Sequence, residues 1–240
     1  MSPRYAIYLA PPGDSALWSF GSGVLGYDAL TGAELAPPAL AGFDDETWHG
    51  LTQDPRRYGF HGTLKAPFRL AEDLDEADLF AAVAAFATGY RPFELPPLEV
   101  QALGAFVALV PTIPVPALLD LAACAVVELD GLRAPLTAQE VARRRPERLS
   151  ARQLEHLQRY GYPYVLEDFR FHMTLTDALD EPTCAHAVNA LCEAYAASGA
   201  HLPVLIEDIA IYRQSEAGER FRILHRAPLG GVEPAQDLPA

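Results

Sequence analysis

Four things are scarce in this chain, and each scarcity excludes something. Cysteine is the first: Cys124, Cys184 and Cys192 are the only three, an odd number with no C-x-x-C pair. That argues against a disulfide framework and against a cysteine zinc site, and it points to a reducing, cytoplasmic setting. Positive charge is the second. The 18 Lys and Arg face 32 Asp and Glu, for a formal net charge of −14. Affinity for long nucleic acid comes mostly from neutralising phosphates, so a chain this acidic is a poor general binder of it. A small basic pocket for one phosphate group stays compatible with that balance. Long apolar runs are the third: no stretch of 18 residues is free of charge and proline, so no membrane span is expected. The opening MSPRYAIYLAPPGD has neither the long apolar stretch nor the small-residue cleavage site of a signal peptide. Lysine is the fourth. Lys65 is the only one, against 17 arginines.

What is present is an ordinary globular composition, 240 residues with 50% hydrophobic and 21% charged, long enough to bury a core without staples. Residues 4–10 read as a strand, and Asp14-Ser15 cap a short helix to about Phe20. The stretch 21–59 reads as mostly loop, with a helix near Asp45–Thr52. A strand at 60–65 and an amphipathic helix at 74–88 follow. Strand signals cover 98–110, with a turn or bulge at Gly104, and a helix covers 115–129. Thr137 and Glu140 make a capping box, and Pro146 should divide the helical segment 137–160. A strand at 169–176, a helix at 181–198 and strands at 203–213 and 219–227 complete the order. The reading is an α+β fold of two pseudo-symmetric lobes, with mainly antiparallel sheets and a central cleft. Residues 1–229 form one bilobed domain with a helical insertion at about 112–168, and 230–240 form a disordered tail.

One motif occurs twice. Phe60-His61-Gly62-Thr63-Leu64 returns as Phe171-His172-Met173-Thr174-Leu175. On a strand, residues i, i+2 and i+4 share a face. His61, Thr63 and Lys65 therefore fall on one face, and Arg170, His172, Thr174 and Thr176 on the matching one. Histidine exchanges protons near neutrality. Two of them on opposite sides of a phosphodiester act as base and acid, while threonine hydroxyls donate to the non-bridging oxygens as charge builds. Lys65 adds a compact ammonium suited to a phosphate oxygen. The residues alone give a small, cyclic phosphodiester as substrate.

The paired H-x-T-L motifs resemble those of the 2H phosphoesterase superfamily, which includes RNA 2′,3′-cyclic phosphodiesterases. A wider resemblance runs through RYAIYLAPPGDSALW, LGYDALTG, RYGFHGTLKAPFRL, RYGYPYV and FRFHMTLT to the branch associated with phosphonate metabolism. The resemblance implies His61 and His172 as catalytic, Thr63 and Thr174 as phosphate-binding, and no cofactor. It implies hydrolysis of a cyclic phosphate of a phosphoribosyl sugar, opened to a monoester. An RNA-end 2′,3′-cyclic phosphodiesterase or ligase-like enzyme, and a non-catalytic sugar-phosphate binding module, are the alternatives.

The remaining candidates are weaker. A metal site wants three or four ligands, and neither motif supplies a second histidine or a carboxylate on its own face. Arg143, Arg144, Arg145, Arg148 and Arg152 fall within ten residues. They read either as a solvated helix face or as a lid in which Arg144 and Arg148 meet an anionic substrate. Tyr27, and the tyrosines at 160, 162 and 164, are candidates for a sugar pocket. The Gly21-Ser22-Gly23 stretch is too short and wrongly placed for a dinucleotide loop.

Overall fold

A computed structural model describes residues 3–230; the expected tail lies, Gly230 apart, outside them. Along the described residues run β1 (Arg4–Leu9), α1 (Ala16–Leu25), α2 (Asp45–Gly50), α3 (Gln53–Tyr58), β2 (Gly62–Phe68) and α4 (Glu76–Thr88). Then come β3 (Phe93–Leu95), β4 (Leu98–Leu103), β5 (Phe106–Pro111), α5 (Pro116–Glu128), α6 (Ala138–Arg143) and α7 (Ala151–Tyr160). The order closes with β6 (Met173–Thr174), α8 (Glu181–Ser198), β7 (Val204–Ile206), β8 (Asp208–Gln214) and β9 (Arg222–Pro228).

Seven strands form one antiparallel sheet in the order β4-β5-β6-β2-β1-β8-β9, while β3 and β7 pair separately. The fold is α+β with a large antiparallel sheet. Its two halves, β4-β5-β6 and β2-β1-β8-β9, meet at a single residue pair, Gly62 with Met173. Both motif copies lie at that seam. Helix α4 packs on β9 and α5 on β2, while α8 packs on β4 and β5. One face of β1 and β2 is thereby covered: the Tyr5 hydroxyl donates to Glu76 on α4, and Lys65 reaches the Val126 carbonyl on α5.

Local chemistry explains most element ends. Ser15, Asp75, Thr137, Ser150 and Asp180 each accept a backbone N–H at the start of a helix, satisfying donors that the helix itself leaves open. The Thr137–Glu140 capping box forms, and the chain breaks at Arg145 in a left-handed conformation before Pro146. Gly104, at φ 66°, makes the turn between β4 and β5.

Three expectations need correcting. Helix α1 runs past Phe20 to Leu25, because Gly21 is a packing site rather than a break: a Cβ there would sit 2.3 Å from the Phe60 ring. The segment 21–59 holds two helices, α2 and α3, not one. The expected strand 169–176 pairs only at Met173 and Thr174. Beyond it the Thr176 hydroxyl takes the Val107 N–H, and the Val107 carbonyl accepts from both Leu175 and Thr176, so the ladder stops. Among the described residues no helix is long and apolar enough to cross a membrane.

Candidate active site

The two motif copies repeat one backbone clamp. Nδ1 of His61 lies 2.8 Å from the Gly59 carbonyl oxygen, and Nδ1 of His172 lies 2.7 Å from that of Arg170. A carbonyl only accepts, so Nδ1 carries the proton in both rings and Nε2 is the free nitrogen. Each preceding phenylalanine locks its copy against a glycine. The Phe60 ring fills the space over Gly21, and the Phe171 ring fills that over Gly62, 2.3 Å from where a Cβ would be. His61, Thr63, His172 and Thr174 all line one cleft of about 340 Å³. Among the described residues the hydroxyls of Thr63 and Thr174 have no protein partner, so both are open to a ligand.

Electrostatics make both rings neutral bases. Burial pulls the His61 pKa down to about 4; the Gly59 carbonyl opposes this, and His172 adds a smaller lowering. Burial also lowers the His172 pKa, with the Arg170 carbonyl opposing and the Arg170 charge assisting. An anion bound between them pulls both values back up, since opposite charge favours the protonated form.

The structure divides the remaining sequence candidates. Arg144 lines the cleft with its guanidinium over the Tyr162 ring, 4.9 Å from the centroid. Thr176 borders the cleft, but its hydroxyl is spent: it accepts from Val107 N and donates to the Asp177 carbonyl. Lys65 faces the other side of the sheet, 3% exposed, its Nζ 3.0 Å from Asp130 Oδ1. The reason is a bulge. Tyr8 pairs with Thr63 but Ile7 pairs with Lys65, so Leu64 is an extra residue and the alternation inverts after it. Ala66 and Pro67 face the cleft in its place.

Tyr27 is buried away from the cleft, its hydroxyl donating to the Phe221 carbonyl. The Arg148 side chain is exposed and off the cleft, and Arg170 lines a neighbouring groove of about 290 Å³. The arginine run is thus split, since Arg152 pairs with Asp168 on the surface.

Three cleft residues were not singled out from the sequence. Arg4 and Tyr8 line it from β1, and Tyr58 from the end of α3. The first two were legible, because period two puts Arg4, Ala6 and Tyr8 on one face of their strand. Among the described residues no three His, Cys, Asp or Glu side chains converge in a way that could hold a metal ion.

This chain belongs to the DUF1045 family, described as a protein of unknown function, whose model matches residues 63–222. It is 39% identical over 239 residues to ribose 1,5-bisphosphate phosphokinase PhnN of Janthinobacterium sp. (strain Marseille), covering 98% of this chain and 53% of that protein. It is 37% identical over 224 residues to the protein of the same name from Laribacter hongkongensis (strain HLHK9), covering 92% and 50%. The chain thus spans about half the length of the curated relatives it matches. Among solved structures it is similar to E. coli LigT complexed with 3′-AMP, at 15% identity and a TM-score of 0.43, over 96% of this chain and 100% of that one.

Proposed function

We propose that this chain is a 2H-type phosphoesterase that opens a small cyclic phosphodiester on a phosphorylated sugar, of the phosphoribosyl kind met in phosphonate metabolism. The observation that carries it is the repeated unit: a histidine clamped through Nδ1, with an unpartnered threonine hydroxyl two residues on, twice at one cleft. With the lower pKa, His61 takes the role of base. Its Nε2 removes a proton from water as the water oxygen attacks phosphorus. His172, protonated once the anion is bound, gives its proton to the departing sugar oxygen as that P–O bond breaks. Thr63 and Thr174 donate to the non-bridging oxygens, which gain charge in the transition state. The product is a phosphomonoester, and solvent then restores the two protonation states.

The relatives are named as kinases, and we assign that activity to the part they do not share with this chain. A nucleotide-binding P-loop needs a Gly-rich turn ending in Gly-Lys-Ser/Thr. The only lysine here is Lys65, preceded by Leu64 and committed to Asp130 and Val126. We infer that the two parts of such relatives work on related ribose phosphates, which supports the sugar-phosphate reading.

Phosphorus NMR on metal-stripped protein tests the proposal with three compounds: a phosphoribosyl 1,2-cyclic phosphate, a nucleoside 2′,3′-cyclic phosphate and a linear diester. Ring opening of the first, abolished in His172→Ala, is the expected result. Preference for the nucleoside compound would move the chain to RNA-end chemistry. No turnover of any would leave a sugar-phosphate binding module.

A further inference from the structure

The cleft holds a second polar cluster that the histidines and threonines do not use. Tyr8, Tyr58 and Tyr162 enter it from β1, α3 and the turn after α7, together with Arg4 and Arg144. Tyr8 is 1% exposed, yet among the described residues its hydroxyl has no hydrogen-bond partner. That hydroxyl is not sealed off but opens on the cleft, where solvent or a bound ligand pairs it. The hydroxyls of Tyr58 and Tyr162 are equally unpartnered. Four other buried tyrosines spend theirs on the protein: Tyr5 on Glu76, and Tyr27, Tyr195 and Tyr212 on the carbonyls of Phe221, Ala200 and Phe60.

The cations are unspent in the same way. Arg4 donates through Nε to Gln214, and Arg144 lies over Tyr162. Among the described residues neither is ion-paired to a carboxylate. Both acids on the cleft are engaged elsewhere. Asp177 accepts the N–H groups of Gln53 and Asp54, and Asp54 faces Arg57 at 3.6 Å.

Ring geometry decides between a flat base and an oxyanion. Tyr8 is stacked by His61, centroids 3.7 Å apart, and its ring also meets Tyr212 at 4.9 Å. Tyr58 is stacked on Phe221 at 5.3 Å, and Arg144 covers Tyr162. One face of each ring is thus already in contact, and the hydroxyl edges point into the cleft. Burial pushes the Tyr8 hydroxyl well above its usual range, with Tyr58, Tyr212 and Tyr162 assisting and Arg4 opposing. It therefore stays a donor. Three donors and two cations without counter-charges match a group with several acceptor oxygens and two negative charges.

We propose that Arg4, Tyr8, Tyr58, Tyr162 and Arg144 form a second anion subsite, which holds a phosphomonoester carried by the substrate away from its reacting phosphodiester. The subsite deepens the hydrolase reading and rests on His61 and His172 marking the reacting end. It selects among cyclic esters by their distal phosphate.

The test compares ribose 1,2-cyclic phosphate with the same compound phosphorylated at the 5-position, in wild type, Arg144→Gln and Tyr8→Phe. The readout is the ratio of the two kcat/KM values, which is independent of the fraction of a variant that folds. Wild type should favour the phosphorylated ester by about 10²-fold or more, on the scale of charge-assisted hydrogen bonds. Arg144→Gln should cut that ratio at least tenfold, and Tyr8→Phe should cut it less. A wild-type ratio near one, or variants that lower both values equally, would overturn the subsite while leaving hydrolysis intact. Calorimetry with ribose 5-phosphate separates the two claims. Binding that Arg144→Gln abolishes, in a protein that opens neither ester, would sustain the subsite and sink the hydrolase. Tighter binding of a nucleoside lacking phosphate than of ribose 5-phosphate would overturn the subsite.

Discussion

His61 lies flat on Tyr8, centroids 3.7 Å apart, whereas His172 meets the Phe106 ring at 5.6 Å and 51°. The strand after His61 runs seven residues, and the strand after His172 runs two. His61 is brought down to a pKa of about 4, while His172 is lowered by burial against which the Arg170 carbonyl acts, with the Arg170 charge a smaller lowering influence. Around these differences the Nδ1 clamp and the threonine two residues on stay the same. The duplicated motif thus keeps what fixes the ring and leaves the threonine hydroxyls open, and it varies what sets the proton affinity. The proposed mechanism uses that variation to give two identical side chains opposite roles.

Breaking either copy tests the shared part. His61→Ala and His172→Ala should each lower kcat by about 10²–10⁴, the scale of losing a general acid or base, as followed by phosphorus NMR. Next in size is the pair of open hydroxyls. Thr63→Val and Thr174→Val should each cost roughly 10² in kcat, by analogy with losing an oxyanion donor. Thr176→Val sharpens the contrast, because its hydroxyl serves Val107 rather than a ligand. It should reduce unfolding free energy by about 1–3 kcal/mol and leave kcat within a few-fold.

The seam between the halves comes third. Gly62→Ala drives a Cβ into Phe171 and should cost about 1–3 kcal/mol in denaturant unfolding. Gly50→Ala meets nothing within 4 Å and should be neutral or slightly stabilising. The smallest effect on activity belongs to Lys65→Met. Lys65 sits on the helix-covered face, and Asp130 keeps its pair with Arg133. Activity should hold within about twofold, and unfolding free energy should fall by roughly 1–3 kcal/mol, since the Val126 carbonyl and Asp130 lose a buried cationic donor while Arg133 still holds Asp130. A large loss of activity would put Lys65 back in the cleft.

Much of this was readable from residues alone, and the failures have physical causes. The duplicated His-x-Thr pattern, the antiparallel α+β order, the Thr137 capping box and the turn at Gly104 rest on local chemistry, so the sequence carried them. Lys65 was misplaced because strict alternation cannot foresee a bulge at Leu64. Thr176 was misread because a side chain taking a ladder N–H looks, in sequence, like a strand residue. The first helix reads only to about Phe20 in sequence, because Gly21 looks like loop where Phe60 in fact packs against a continuing helix. Tyr58 reaches the cleft from a helix that the Gly- and Pro-rich composition of its segment concealed.

The most direct test of opposed roles is the pH dependence of kcat/KM for wild type and both alanine variants. The proposed mechanism requires His61 neutral and His172 protonated in the free enzyme. The wild-type profile should therefore rise as His61 deprotonates near pH 4 and fall as His172 deprotonates below 6.5, giving a bell on the acid side of neutrality. His61→Ala should lose the rising limb and keep the falling one, and His172→Ala the reverse. Loss of the same limb in both variants, or an unchanged bell in either, would contradict the assignment.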